Sequence, residues 1–202
     1  MPFTVGFDLD MTLIDPRPGM AMAIDTLAAQ TGFALDGAHF AANLGPPLDI
    51  VFRGFGVPEE HIADLTTRFR ATYPEVVIPR TIALPGASAA IDVVRALGGQ
   101  VVVITGKYQR NAELHIKELG WTVDAVVGTL WGPGKGEALR AHNASIYVGD
   151  HVSDVMGAKA AGATSVGVTT GPCDEAGLRE AGADVVLRDL TEFPPWLTMR
   201  HR

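Results

Sequence analysis

Short β-branched apolar runs recur along the chain, at residues 4–7, 101–105, 123–127, 145–148, 165–168 and 184–187. Each is too short for a helix, and most end at Asp, Thr or Gly, as buried parallel strands do. Between them lie Ala- and Leu-rich helical stretches at 87–97, 110–119, 136–142, 152–161 and 175–181. Four of these, ending at Leu97, Leu119, Ala161 and Ala181, are followed at once by Gly, the usual left-handed helix stop. The alternation predicts an α/β fold built on a doubly wound parallel sheet.

Residues 16–82 break that rhythm and read as helices only, at 20–30, 38–43, 48–54 and 59–72. Pro16-Arg17-Pro18 and Leu84-Pro85-Gly86 bound the stretch, and stiff Pro with permissive Gly suits two linkers. The expected organisation is a sheet domain of residues 1–15 and 83–202 with a small helical domain, 16–82, inserted after the first strand.

Composition narrows the class. With 47% hydrophobic and 19% charged residues, the 202-residue chain is neither disordered, collagen-like nor a coiled coil. A net charge of -7 argues against a nucleic-acid partner. The single cysteine, Cys173, excludes an internal disulfide and a Cys-based zinc cluster, and suits a cytoplasmic protein. No apolar run approaches the roughly 20 residues of a membrane helix. Asp8 and Asp10 interrupt the first apolar stretch, which therefore does not read as a signal peptide.

Ligands of open α/β sheets bind beyond the carboxyl ends of the strands. There the sequence places Asp8 and Asp10, then Thr105-Gly106-Lys107, then Asp150 with Asp154 four residues on, while Lys135 opens the preceding helix. Singly, each has an ordinary reading as a turn former, a helix cap or a solvent-facing charge. Jointly they bring clustered carboxylates to one crevice. Such groups repel unless a cation joins them, and hard oxygen ligands suit Mg²⁺. Asp8, Asp10 and Asp150 beside Lys135 describe a magnesium site facing a phosphate.

The stretches DLDMTLID, VVVITGK and GDHVSD, with Lys135, resemble the four motifs of the haloacid dehalogenase superfamily over essentially the whole chain. The insert is similar to the small cap of its phosphoglycolate-phosphatase-like branch. The resemblance implies a Rossmann-like core, Asp8 as nucleophile and Asp10 as general acid and base. It implies Thr105 and the Gly106 amide as holders of the phosphoryl oxygens, and Thr12 as a further substrate-side residue. Mg²⁺ would be bound by Asp8, the Asp10 carbonyl and Asp150, with Asp154 close by. Lys135 would offset charge, but it lies in GPGKGEAL rather than the branch's KPxP-like segment, so Lys107 is a second candidate. The implied activity is hydrolysis of a small-molecule phosphate ester through an aspartyl phosphate, with a phosphomutase as the alternative; the ester and the oligomeric state are left open. A dehalogenase does not need Asp10, and a phosphonoacetaldehyde hydrolase needs a cap lysine, which no residue before Lys107 supplies. A non-catalytic phospho-acceptor module lacks a cap and needs no acid at Asp10. By the same resemblance the loop at 43–48, with Gly45, contacts the rest of the substrate, and Arg53 or Arg80 could grip a second anion. His151 reads as a helix cap, Cys173 as structural, and Trp131 as a group able to reach the site mouth.

Overall fold

A computed structural model describes residues 3–201 and divides into two compact units, Met1–Ile14 with Ala83–Arg202, and Asp15–Ile82. In chain order the elements begin with β1 (Thr4–Phe7), β2 (Ile14–Asp15), α1 (Arg17–Thr31), α2 (Gly37–Ala42), α3 (Leu48–Gly54) and α4 (Glu59–Val76). They continue with β3 (Ile82–Ala83), α5 (Ala87–Ala96), β4 (Gln100–Ile104), α6 (Gln109–Glu118), β5 (Ala125–Val127) and α7 (Gly134–Ala141). Then follow β6 (Ala144–Gly149), α8 (Val152–Ala161), β7 (Thr164–Val168), α9 (Glu175–Glu180), β8 (Val185–Leu187) and α10 (Phe193–Arg200).

The first unit is built on a six-stranded sheet of order β5-β4-β1-β6-β7-β8, with its strands paired in parallel. The fold is thus the doubly wound α/β architecture the pattern predicts. Strand order reverses at β1, which pairs with β4 on one side and β6 on the other. Phe7 stands opposite both Val103 and Val148, so the residues after β1, β4 and β6 emerge at about one level. That is the switch point where such sheets bind ligands.

Side chains alternate across the sheet. Phe7, Val101, Val103, Ile146 and Val148 join one apolar cluster, while Val102, Ile104 and Tyr147 join another with Leu139 and Ala158. Each such buried Val, Leu or Ile contributes about 1.5–3 kcal/mol. Gly6 is small for a reason: a β-carbon there would fall 2.8 Å from the Tyr147 ring.

The structure departs from the sequence reading in three places. β2 and β3 form a two-residue ladder where only linkers are expected. Helix α10 has no counterpart in the sequence reading. Pro194 and Pro195 occupy its first turn, where their missing N–H groups cost nothing, and Phe193 and Leu197 are fully buried. Helix α4 runs to Val76 instead of stopping at 72, with Pro74 inside its last turn.

The second unit packs α1 with α2 and α4 around Ile24, Leu27, Phe40, Leu65, Phe69 and Tyr73. Gly37 permits a close approach, since a β-carbon would lie 2.2 Å from the Ala21 carbonyl oxygen. No helix among the described residues is long and apolar enough to cross a membrane.

Candidate active site

β1 delivers Asp8 directly: its N–H donates to the Val148 carbonyl at 2.8 Å, extending the sheet by one residue. The chain then turns sharply. The Leu9 carbonyl accepts from Leu13 at 2.9 Å and from Ile14 at 3.0 Å, and the Met11 N–H reaches the Ile14 carbonyl at 2.7 Å. Met11 adopts φ +58°, a left-handed conformation costing a non-Gly residue about 1–2 kcal/mol. The Thr170 hydroxyl, arriving from beyond β7, donates to the Met11 carbonyl and braces the turn.

Three carboxylates meet at the strand ends. One oxygen each from Asp8, Asp150 and Asp154 lies within 4.8 Å of the others, and all three residues are buried. Two glycines leave them room: a β-carbon at Gly171 would fall 1.8 Å from Asp150 Oδ2, and one at Gly149 would fall 2.4 Å from Asp154. Asp154 is also held by its own helix start. Its Oδ2 accepts the His151 N–H at 3.1 Å, while His151 Nδ1 accepts the Ser153 N–H, so His151 is the cap its position suggests.

The two lysines divide the acids between them. Lys135, 1% exposed, places Nζ 2.6 Å from Asp154 Oδ1 and 3.0 Å from Asp8 Oδ1. Lys107 places Nζ 3.0 Å from Asp10 Oδ2. Burial pushes the Asp150 carboxyl well above its ordinary value, with the charges of Asp154 and Asp8 adding to it. Burial likewise raises Asp154 against the pull of Lys135, and raises Asp10 against Lys107. Burial alone would lower Lys135, but Asp154 and Asp8 outweigh it and hold the ammonium well above the usual lysine range.

These features fit a hard divalent cation. The donor set is oxygen only, and Asp8 Oδ1 and Asp10 Oδ1 are buried without a hydrogen-bond partner among the described residues. Asp8 Oδ1 is within ion-pair distance of Lys135 without making a hydrogen bond to it. Three buried carboxylates brought this close repel one another, and a divalent cation among them would offset that repulsion.

Beside the acids, Thr105 is buried and its hydroxyl accepts the Lys107 N–H at 3.3 Å, while Gly106 is exposed. Trp131 packs against Gly106, 3.2 Å from where a β-carbon would sit, and its ring centroid is 5.4 Å from that of His151. The indole is therefore at the rim, 45% exposed.

The structure gives the other expected site residues these partners. Thr12 does not face a substrate: it is fully buried, and its hydroxyl donates to Asp150 Oδ1 at 2.8 Å. Lys107 spends its charge on Asp10. In the helical unit, Arg53 is an exposed residue already forked between Asp49 at 2.6 Å and Glu59 at 2.8 Å. Arg80 Nη1 donates to the Val76 carbonyl at 2.9 Å and so closes the end of α4. Gly45 has φ +135° in the loop before α3, a helix of seven residues with no side-chain cap. Sequence reasoning passed over Tyr147, Thr170 and Gly171. Extending the strand-end rule to β7 would have found the last two.

An open parallel sheet with this acid cluster at its switch point defines a class. The profile of haloacid dehalogenase-like hydrolases matches residues 5–168, and the chain belongs to that family of enzymes. It is 29% identical to a phosphoglycolate phosphatase of Rhodospirillum rubrum, covering 98% of this chain and 91% of that protein. A phosphoglycolate phosphatase of Caulobacter vibrioides is 27% identical over 95% of this chain and 89% of its own length. Among solved structures, a haloacid dehalogenase-like hydrolase of Streptococcus pneumoniae superposes with a TM-score of 0.83 at 21% identity, covering 97% of this chain and 98% of that one. A family hydrolase of Deinococcus radiodurans, solved with bound phosphate and sodium, gives 0.70 at 23% identity over 99% and 97%.

Proposed function

We propose that the protein is a Mg²⁺-dependent phosphatase that hydrolyses a small-molecule phosphate monoester through an aspartyl phosphate on Asp8. The observation that carries this reading is the buried cluster of the Asp8, Asp150 and Asp154 carboxylates at the strand ends, with the Lys135 ammonium beside it. The phosphoglycolate phosphatases among its relatives support a phosphate ester, and 2-phosphoglycolate heads the substrates to try.

Asp8, Asp150 and Asp154 would hold Mg²⁺, with the Asp10 main-chain carbonyl as a further oxygen. The ion would supply the positive charge that lets an anionic ester approach these carboxylates. Asp8 attacks phosphorus and the ester oxygen leaves, which splits one hard step into two. Asp10, two residues on, gives its proton to the leaving oxygen; burial favours its protonated form. It then takes a proton from the water that attacks the acyl phosphate, so that inorganic phosphate departs and Asp8 is restored. The Thr105 hydroxyl and the Gly106 N–H hold phosphoryl oxygens, and Lys135, 3.0 Å from Asp8, offsets negative charge.

The test is a panel of phosphate monoesters with Mg²⁺ and with chelator. Asp8→Asn should lower turnover by several orders of magnitude, roughly 4 kcal/mol or more of barrier. Hydrolysis that survives complete chelation, or near-normal turnover by Asp8→Asn, overturns the proposal.

A further inference from the structure

Tyr147 is fully buried in β6 beside the acid cluster, and the chemistry above does not use it. Its hydroxyl donates to the Ile104 carbonyl at 2.6 Å and stands 3.5 Å from Asp154 Oδ1. Its ring lies under Lys135, whose Nζ is 5.6 Å from the centroid. Gly6 leaves the space the ring fills. A phenylalanine would fill that space equally well, and a buried hydroxyl is costly unless it is bonded. What the hydroxyl adds is the short bond to Ile104, with a longer contact to Asp154.

Ile104 ends β4, and its peptide leads into the turn of Thr105, Gly106 and Lys107. The other edge of that peptide is fixed too, since the Thr105 N–H donates to the Val127 carbonyl at 2.9 Å. The Leu130 N–H then reaches the Thr105 carbonyl at 3.0 Å. Of these ties, only Tyr147 comes from the strand that carries Asp150.

We propose that Tyr147 is a positioning residue whose hydroxyl fixes the Ile104–Thr105 peptide, setting the phosphoryl-binding turn 105–107 against the Asp150–Asp154 end of β6. The ligand half of this inference rests on the phosphatase reading; the anchoring half does not.

Tyr147→Phe isolates the hydroxyl and keeps the ring beneath Lys135. In the ligand-free protein, amide exchange at Thr105 and Lys107 should quicken by about tenfold, the scale of one lost hydrogen bond, with β1 and β7 unchanged. Calorimetry with saturating Mg²⁺ should show orthovanadate bound about tenfold more weakly, while kcat for an activated aryl phosphate stays within about threefold. Tyr147→Leu, which also removes the ring from Lys135, should lower kcat as well. Unchanged exchange at 105–107, or exchange that rises uniformly across the sheet, overturns the anchor. Equal losses in kcat and affinity with the Phe variant overturn the positioning role. A wild-type protein that binds no vanadate overturns the phosphatase reading, and the exchange measurement still decides on Tyr147.

Discussion

Replacing Lys135 by Met keeps an unbranched side chain in the same slot and removes only the charge. The ammonium is 1% exposed, 2.6 Å from Asp154 and 3.0 Å from Asp8, with Asp150 in the same cluster. Deleting one partner of a buried ion pair costs about 3–5 kcal/mol, because the other charge stays behind. For a chain of this length each kcal/mol moves Tm by about 2–4 °C, so Lys135→Met in chelator should melt roughly 6–20 °C lower. The sign with pH follows from the carboxylates. Burial raises the folded-state pKa values of Asp150 and Asp154; Lys135 pulls both down, as the main such influence on Asp154 and behind the Thr12 hydrogen bond on Asp150. Without it they rise further. A carboxylate with a raised folded pKa loses stability as pH climbs past its unfolded value, so the deficit should grow from pH 5 to pH 8. Millimolar Mg²⁺ should narrow the gap, since the cation supplies the missing charge. Thermal melts at both pH values, with chelator and with Mg²⁺, are the assay. Equal Tm for variant and wild type in chelator at pH 8 would refute the reasoning about the pair. A gap that Mg²⁺ leaves untouched would refute the cation assignment.

Thr12→Val removes the 2.8 Å donor from buried Asp150 at constant shape and should cost about 1–3 kcal/mol in urea unfolding with chelator present; an unchanged midpoint would count against the bond. Gly171→Ala puts a methyl where Asp150 Oδ2 now sits and should weaken Mg²⁺ binding by at least about tenfold, read by calorimetry, in a protein that still folds. His115, buried in α6, has its pKa pushed down to about 2 by desolvation and then by Lys107. It stays neutral when folded but takes a proton below about pH 6.5 when unfolded, so its contribution is lost as pH falls, by about 2 kcal/mol at pH 5. The stability difference between wild type and His115→Gln should therefore change by that amount between pH 7.5 and 5, and parallel profiles would exclude it.

Much of the fold was legible because its signals are local. Runs such as 101–105 and 145–148 carry no charge, are too short to be helices and end at the residues that become the site. Leu97, Leu119, Ala161 and Ala181 each precede a glycine, and the glycines after all four have positive φ. What stayed hidden depends on distant partners. The ladder of Ile14–Asp15 with Ile82–Ala83 is two residues long on each side, below any periodicity. Helix α10 is hidden because proline's effect depends on whether it falls in a first turn, which only the surrounding fold decides. Arg53 and Arg80 look available in a sequence because nothing there shows that Asp49, Glu59 and the end of α4 use their donors.

The site divides along the same line. Which residues stand at strand ends follows from where the apolar runs stop, so Asp8, Asp10, Thr105 and Asp150 could be read in order along the chain. Which group each one meets is a matter of angle and depth. Lys107 follows the Thr105 strand, yet it turns to Asp10; Lys135 comes from a helix start, yet it is the more deeply buried and takes Asp8 and Asp154. Charge explains why both are needed. Asp8, Asp10, Asp150 and Asp154, when ionised, put four negative charges in one crevice, and the two ammonium groups leave two uncompensated. One divalent cation would supply that remainder. With that ion bound, an incoming phosphate monoester would be spared the repulsion of the bare carboxylates, which the proposed attack by Asp8 requires. Thr12, which sequence reasoning put on the substrate, serves this balance instead: by donating to Asp150 it steadies a carboxylate that burial drives toward its neutral form.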